Sequence, residues 1–368
     1  MTQRVALYRI AMKGPGDMSG LQKLLASGRH EASDIVAILG KTEGNGGVND
    51  FTREYAAKSL AQLLAPHLGC GAEEVEARVA LIMSGGTEGV LSPHLSVFVR
   101  ERGGVPVEGH KRLAIGIAHT RDFLPEELGR AAQIAETARA VRAAMDEAGI
   151  DDIADVHFVQ VKCPLLNSER VEEARARGQE PVTDAAYASM GYSRGASALG
   201  VAAALGEVPA DISAAAVCTD WNSYSGVAST SAGIELLHNV VVLMGNSRAA
   251  GGDLTVGHAV MRDALDLASV LAAFRSAGID DPANLGGSQA GRVVNVFAKA
   301  ESSPDGVIRG YRHTMLDDSD ITPTRHARAA VGGLIAAVAG CGAVYVSGGA
   351  EHQGPSGGGP IAVIARAG

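Results

Sequence analysis

Short apolar runs alternate with amphipathic stretches along this chain, and their order repeats three times. Residues 5–12 (Val-Ala-Leu-Tyr-Arg-Ile-Ala-Met) predict a strand, Met18 to Ser27 a helix, and Asp34 to Leu39 a strand ending at Gly40-Lys41. Asn49 to Leu64 has helical periodicity, opens with Asp50 near its N-cap and carries Arg53. The runs Ala80 to Met83 and Leu95 to Val99 close this segment in the order βαβαββ. In the second segment, strands at Leu113 to Ala118 and Val156 to Val161, the latter ending at Lys162, flank a helix at Leu128 to Ala148. A loop rich in Glu and Arg leads to an Ala-rich helix, predicted to open at Gly191-Tyr192-Ser193-Arg194 and to end near Gly206, and then to strands at Gly226 to Thr230 and Asn239 to Met244. The third segment runs from Leu254-Thr255-Val256 through a helix at Leu265 to Ala277 and a strand at Val293 to Ala298 that ends at Lys299. Thr322-Pro323-Thr324-Arg325 then starts a capped helix with Pro in its first turn, and Ala343 to Val346 and Ile361 to Ala365 complete the pattern.

Repeats of this length are domain-sized units, so the expected fold is α/β, built from three copies of one βαβαββ unit. The unit limits are placed at residues 1–104, 111–248 and 253–368, with small residues clustered at Gly103-Gly104 and Ala249-Ala250-Gly251-Gly252. The uncharged stretch Ala329 to Val346 approaches the length of a membrane span, but Gly340-Cys341-Gly342 divides it into an Ala-rich helix and a short strand.

The third strand of each copy ends in a hydroxyl on a small-residue turn: Ser84-Gly85-Gly86-Thr87-Glu88, Ser231-Ala232-Gly233-Ile234-Glu235 and Ser347-Gly348-Gly349-Ala350-Glu351. Such turns leave backbone N–H groups free to face a developing negative charge beside a nucleophile. Aligning the copies also brings Lys41, Lys162 and Lys299 to one strand end, and Arg53, Arg194 and Arg325 to one helix start. A lone Lys at a strand end is ordinarily a solvated charge, whereas Lys, Arg and Ser recurring together predict a shared pseudo-three-fold pocket. A Ser nucleophile needs a base, and no His recurs in all three copies. A Lys can serve if burial and neighbouring Arg cations hold it neutral. The pattern does not distinguish which of the three Ser attacks.

Composition narrows the alternatives. The net charge of −9, with no run of Lys or Arg, disfavours nucleic acid or an anionic membrane as partner. Four separated cysteines without a CxxC pair suit reduced thiols, and with no leader visible in Met1 to Arg9 the expected location is the cytoplasm. Ile38-Leu39-Gly40-Lys41-Thr42 resembles the end of a P-loop, but Ile35 stands where that loop requires Gly. The eleven His are too scattered for a His-built zinc centre. The last loop, Glu351 to Pro360, is longer and richer in Gly than its counterparts, and suits either a cage for a hard cation or a flexible surface turn.

Lys41-Thr42-Glu43-Gly44-Asn45-Gly46, Met83 to His94, Gly191 to Ser197 and Ser347 to Pro360 together resemble the cyanuric acid hydrolase/barbiturase family, and most closely its cyanuric acid branch. The resemblance covers essentially the whole chain. It implies three similar units around a pseudo-three-fold axis, with strands forming a central barrel and helices outside, assembled as a homotetramer. It implies hydrolysis of one ring amide of cyanuric acid to carboxybiuret, which loses CO2 to give biuret in s-triazine breakdown, with barbituric acid as an inhibitor. Carried over position by position, substrate contacts fall on Arg53, Ser84, Gly85, Arg194, Ser231, Ala232, Arg325, Ser347 and Gly348, with Lys41 and Lys299 beside them, and the catalytic pair on Lys162 and Ser231. A structural Mg2+ or Ca2+ site falls on Glu301, Ala350, Gln353, Gly354, Pro355 and Gly358, and no cofactor is implied for catalysis. The alternatives are barbiturase chemistry, on a ring with CH2 in place of one N–H, and a non-catalytic protein that holds a small planar anion.

Overall fold

A computed structural model describes residues 2–284 and 290–368. Met1 and residues 285–289, which fall inside the first and third expected units, lie outside the described residues. The first unit contains β1 (Gln3–Ala11), α1 (Ser19–Ala26), β2 (Ile35–Thr42), α2 (Phe51–Leu68), β3 (Ala80–Gly85) and β4 (His94–Arg102). The second contains β5 (Arg112–His119), α3 (Ala131–Ala148), β6 (Val156–Pro164), α4 (Ser168–Ala176), α5 (Ala186–Ala204), β7 (Ala228–Gly233) and β8 (Val240–Ser247). After the short β9 (Ala250–Gly251) come β10 (Leu254–Met261), α6 (Leu267–Ser276), β11 (Val293–Ala300), a hairpin of β12 (Val307–Ile308) and β13 (Tyr311–Arg312), α7 (Pro323–Ala339), β14 (Tyr345–Gly348) and β15 (Gly359–Arg366).

Each unit forms a sheet with the same strand order. It is β3-β2-β4-β1 in the first, β7-β6-β8-β5 in the second and β14-β11-β15-β10 in the third. Within each, the second and third strands run parallel and the fourth lies antiparallel to both of its neighbours. Every residue of β2 and β11 is buried, which explains why these interior strands read as continuous apolar runs and not as alternating patterns.

Among the described residues the strands form three separate large sheets and the two-stranded β12–β13 hairpin, not a closed barrel. Bulky side chains on the inner faces account for this. Phe98 of β4, Phe158 of β6 and Phe297 of β11 meet with ring centroids 6.0 and 5.6 Å apart, and Tyr345 lies 5.6 Å from Phe297. The sheets thus meet at side-chain packing distance, about 10 Å, not at the roughly 4.8 Å of a hydrogen-bonded ladder. Val5, Leu7, Leu113, Val256 and Ile364 join this shared core. Helices cover the outer faces: Leu60 and Leu64 of α2, Val141 and Val201 of α3 and α5, and Phe274 and Ile335 of α6 and α7 each pack on their own sheet.

Three local expectations are corrected. The Glu- and Arg-rich loop contains α4, opened by the Asn167 side chain accepting from the Arg170 N–H. Gly191 to Arg194 lie inside α5, which begins at Ala186, so that sequence does not open the helix. The small-residue linker supplies β9, which pairs with β1 of the first sheet. The Ala329–Val346 stretch divides as expected: α7 ends at Gly340 in the left-handed conformation and β14 follows. No described helix is long and apolar enough to cross a membrane.

Candidate active site

Strand register builds the centre of the site. Lys41 pairs with Ser84 across β2 and β3, Lys162 with Ser231 across β6 and β7, and Lys299 with Ser347 across β11 and β14. All six residues are buried. Ser347 is the hub of the hydroxyls, with its Oγ 3.3 Å from Ser84 Oγ and 3.2 Å from Ser231 Oγ.

The three lysines differ in their partners. Lys299 Nζ lies 2.7 Å from the Thr230 carbonyl, 2.9 Å from the Gly348 carbonyl and 3.3 Å from Ser347 Oγ. Lys299 thus donates to two carbonyls and to the Ser347 hydroxyl. Burial and then the Arg194 cation push Lys299 down to about 7. Lys41 Nζ lies 3.2 Å from Ser84 Oγ and 3.4 Å from the Gly85 carbonyl, and burial followed by Arg328 holds it well below the usual lysine range. Lys162 Nζ instead donates to the Met83 carbonyl at 3.1 Å and forms an ion pair with Glu235 Oε1 at 2.8 Å. Burial lowers Lys162 and Glu235 opposes that shift. Lys162 and Ser231 are therefore neighbours in register, but Lys162 faces Glu235 while Ser231 bonds to Ser347.

Arginines join the units at the pocket wall. Arg194 of α5 makes a two-pronged pair with Glu351 at 2.8 and 2.6 Å, and Arg328 of α7 makes the same pair with Glu88 at 2.8 and 2.5 Å. Arg53 of α2 donates to the Ala232 carbonyl at 3.1 Å and the Gly47 carbonyl at 2.7 Å. The inner pocket is lined by Arg53, Ser84, Gly85, Arg194, Ser231, Ala232, Ser347 and Gly348, all expected from the sequence, and also by Gly46, Met190 and Arg328. Arg325 does not line it. Its side chain is 37% exposed, lines an outer vestibule of about 360 Å3 and reaches Glu88 at 3.2 Å, whereas Arg328 is 4% exposed.

Helix starts mislead here. Arg53 is the third residue of α2, but Arg194 is the ninth of α5, so distance from the helix start does not identify equivalent positions. The usable signal is the Glu ending each Ser-centred turn, because Glu88 and Glu351 each select an Arg from another unit. Gly86 and Gly349 have φ of +105° and +76°, and a Cβ there would stand 2.5 and 2.6 Å from the Arg328 and Arg194 side chains. Glycine thus serves both the turn and the passage of the guanidinium.

The expected cation loop offers oxygen donors of the right chemistry. The half-buried Glu301 carboxyl is pushed up by burial and then by Glu351, so a nearby cation would relieve it. The Gln353 amide is committed, its oxygen accepting from the Thr230 N–H and its nitrogen donating to the Gly349 and Glu351 carbonyls. Gln353 could therefore serve a cation only through its backbone carbonyl, as could Ala350, Gly354, Pro355 and Gly358. This set of one carboxylate and several carbonyls fits a hard ion.

Three sheets of one strand order thus bring three Lys–Ser register pairs beside a pocket lined by Ser and Arg. The family model described as amidohydrolase ring-opening protein matches residues 6–366, and the chain belongs to that family. Its relatives include the cyanuric acid amidohydrolase of Bradyrhizobium diazoefficiens, 64% identical over 99% of each chain, and that of Pseudomonas sp. strain ADP, 58% identical over 99% of each. A solved cyanuric acid hydrolase superposes with a TM-score of 0.93 at 57% identity, covering 100% of both chains. A second, from A. caulinodans, gives 0.90 at 52% identity with 99% of both covered. The chain is accordingly a hydrolase acting on a cyclic amide.

Proposed function

We propose that the substrate is cyanuric acid, opened at one ring amide to carboxybiuret, which loses CO2 to give biuret. The observation that carries this reading is the threefold recurrence of a Lys–Ser register pair around one pocket that three Arg also line. Cyanuric acid presents three equivalent carbonyls and three equivalent N–H groups, so three similar corners match it group for group. The repeated strand order also supports a pseudo-three-fold axis through the pocket.

Ser231 attacks a ring carbonyl, forming an Oγ–C bond, while its proton passes to neutral Lys162. Lys162 then gives that proton to the departing ring nitrogen as the C–N bond breaks, and water releases the acyl group and restores the Ser231 hydroxyl. The Gly86 N–H donates to the Thr42 carbonyl and the Gly349 N–H to the Glu301 carboxylate, so these two turn amides are not free to face the developing oxyanion as the sequence pattern suggested. This assignment follows the family resemblance, and the distinct environment of Lys162 supports a specialised middle unit. A second reading makes Ser347 the nucleophile and Lys299 its base, favoured by the 3.3 Å contact and the lowered lysine.

Incubating the purified protein with cyanuric acid and, separately, barbituric acid while following ultraviolet absorbance tests the substrate. Fast loss of cyanuric acid with biuret as product is expected, with barbituric acid acting as inhibitor. Turnover of barbituric acid alone would make the protein a barbiturase, and binding without loss would make it an anion-binding protein. The same reading includes a homotetramer, to be measured by light scattering, and a structural Mg2+ or Ca2+ at the Glu301 loop.

A further inference from the structure

The three Ser-centred turns end in Glu, yet only two of those carboxylates take an Arg. Glu88 holds Arg328 and Glu351 holds Arg194, but Glu235 holds Lys162 at 2.8 Å while Arg53 goes to backbone carbonyls. Lys162 is thus the one lysine of the three with a direct carboxylate partner, and the one not hydrogen-bonded to a serine. The turn itself is shaped for this. A Cβ at Gly233 would stand 2.2 Å from a Glu235 carboxylate oxygen, so the side chain folds back over the Gly233 backbone.

Solvent reaches this pair by a separate route. A cavity of about 500 Å3 is lined by Lys162 and Glu235 together with Glu76, His119, Asp122 and His238, and it shares no lining residue with the inner pocket or the vestibule. The Lys162 side chain is 2% exposed and that of Glu235 28%, so the carboxylate stands between the buried amine and this cavity. Arg53 and Lys162 are the cations facing Glu235, and Glu76 and His238 line the same cavity.

We infer that Glu235 is a positioning residue for Lys162, holding its ammonium away from Ser231 in the resting enzyme and controlling when this one lysine is released to act as base. The inference rests on the assignment of Lys162 and Ser231 above. An ionised Glu235 favours protonated Lys162, and without it burial and Arg53 push the lysine toward its neutral form. Since the base must be neutral, Glu235→Gln should move the rising limb of the kcat/KM pH profile down by about one pH unit or more. KM should stay within about twofold, because Glu235 does not line the substrate pocket. Glu235→Asp, which keeps the charge, should restore most of the shift.

The proton on Lys162 can also be read directly, by a carbon-13 NMR titration of lysine-labelled protein with the resonance assigned through Lys162→Arg. A downward shift of that titration in Glu235→Gln is expected, and an unchanged titration would overturn the inference whichever lysine is the base. Turnover that survives in Lys162→Ala would instead refute the base assignment, leaving the titration to judge Glu235. An unmoved kcat/KM limb in Glu235→Gln, with Lys162 essential, would overturn the role in catalysis.

Discussion

At single side chains, the two candidate nucleophiles make opposite predictions. If Lys162 and Ser231 act as one unit, Ser231→Ala and Lys162→Ala each abolish turnover, and the double variant is no worse than either single. Ser84→Ala and Ser347→Ala then lose hydrogen bonds to substrate or to the hydroxyl cluster but keep measurable activity. An acid-quenched acyl adduct mapped by mass spectrometry should sit on Ser231, and finding it on Ser347 would establish the second reading. The arginines separate as clearly. Arg328→Ala leaves Glu88 without its two-pronged partner, which should cost about 3 kcal/mol of stability and a larger part of kcat/KM. Arg325→Ala removes a single 3.2 Å contact from a side chain 37% exposed, and should cost about 1 kcal/mol or less. Denaturant midpoints and kcat/KM of the two variants compare these losses directly.

The turns and the final loop can be probed as units. Gly86→Ala and Gly349→Ala force a side chain onto positive φ and into an arginine, so each should lose at least about 1 kcal/mol and most activity. Gly333, inside α7, has open space where its Cβ would fall. Gly333→Ala should therefore stabilise the protein by up to about 1 kcal/mol, which makes it the control in the same denaturation series. For the Glu301 loop, elemental analysis after dialysis should find Mg2+ or Ca2+, and a chelator should lower Tm. Absence of both ions together with an unchanged Tm would remove the cation from the proposal.

Across the whole molecule, burying lysines beside arginines ties stability to pH. Lys299 sits at about 7 in the folded protein against about 10.4 in an unfolded chain. Between those values the unfolded state holds more protons, so this residue makes stability rise with pH across roughly pH 7 to 10, by up to about 1.4 kcal/mol per pH unit. Lys41 is shifted in the same direction and adds to the trend. Below pH 7 the buried lysine must itself be protonated, and the difference between folded and unfolded states levels off. The excess slope of wild type over Lys299→Met, from denaturation at several pH values, isolates the effect. A flat difference would show that Lys299 stays charged in the folded protein.

Local periodicity was enough to find most strands and helices, and to put Lys41, Lys162 and Lys299 at one set of strand ends and Ser84, Ser231 and Ser347 at another. The reason is that register within a unit follows from short apolar runs and the turns that join them, all of which recur in order. Helix α4 escaped because its nine residues have little apolar pattern and only Val171 and Ala174 are buried. The separation into three sheets, the choice of Arg328 over Arg325 and the turning of Lys162 toward Glu235 all depend on contacts between units or on side-chain direction. Glu88 and Arg328 are 240 positions apart, and no periodicity in either neighbourhood encodes the other. Packing around Phe98, Phe158 and Phe297 sets how the sheets approach, and that approach decides which charges meet.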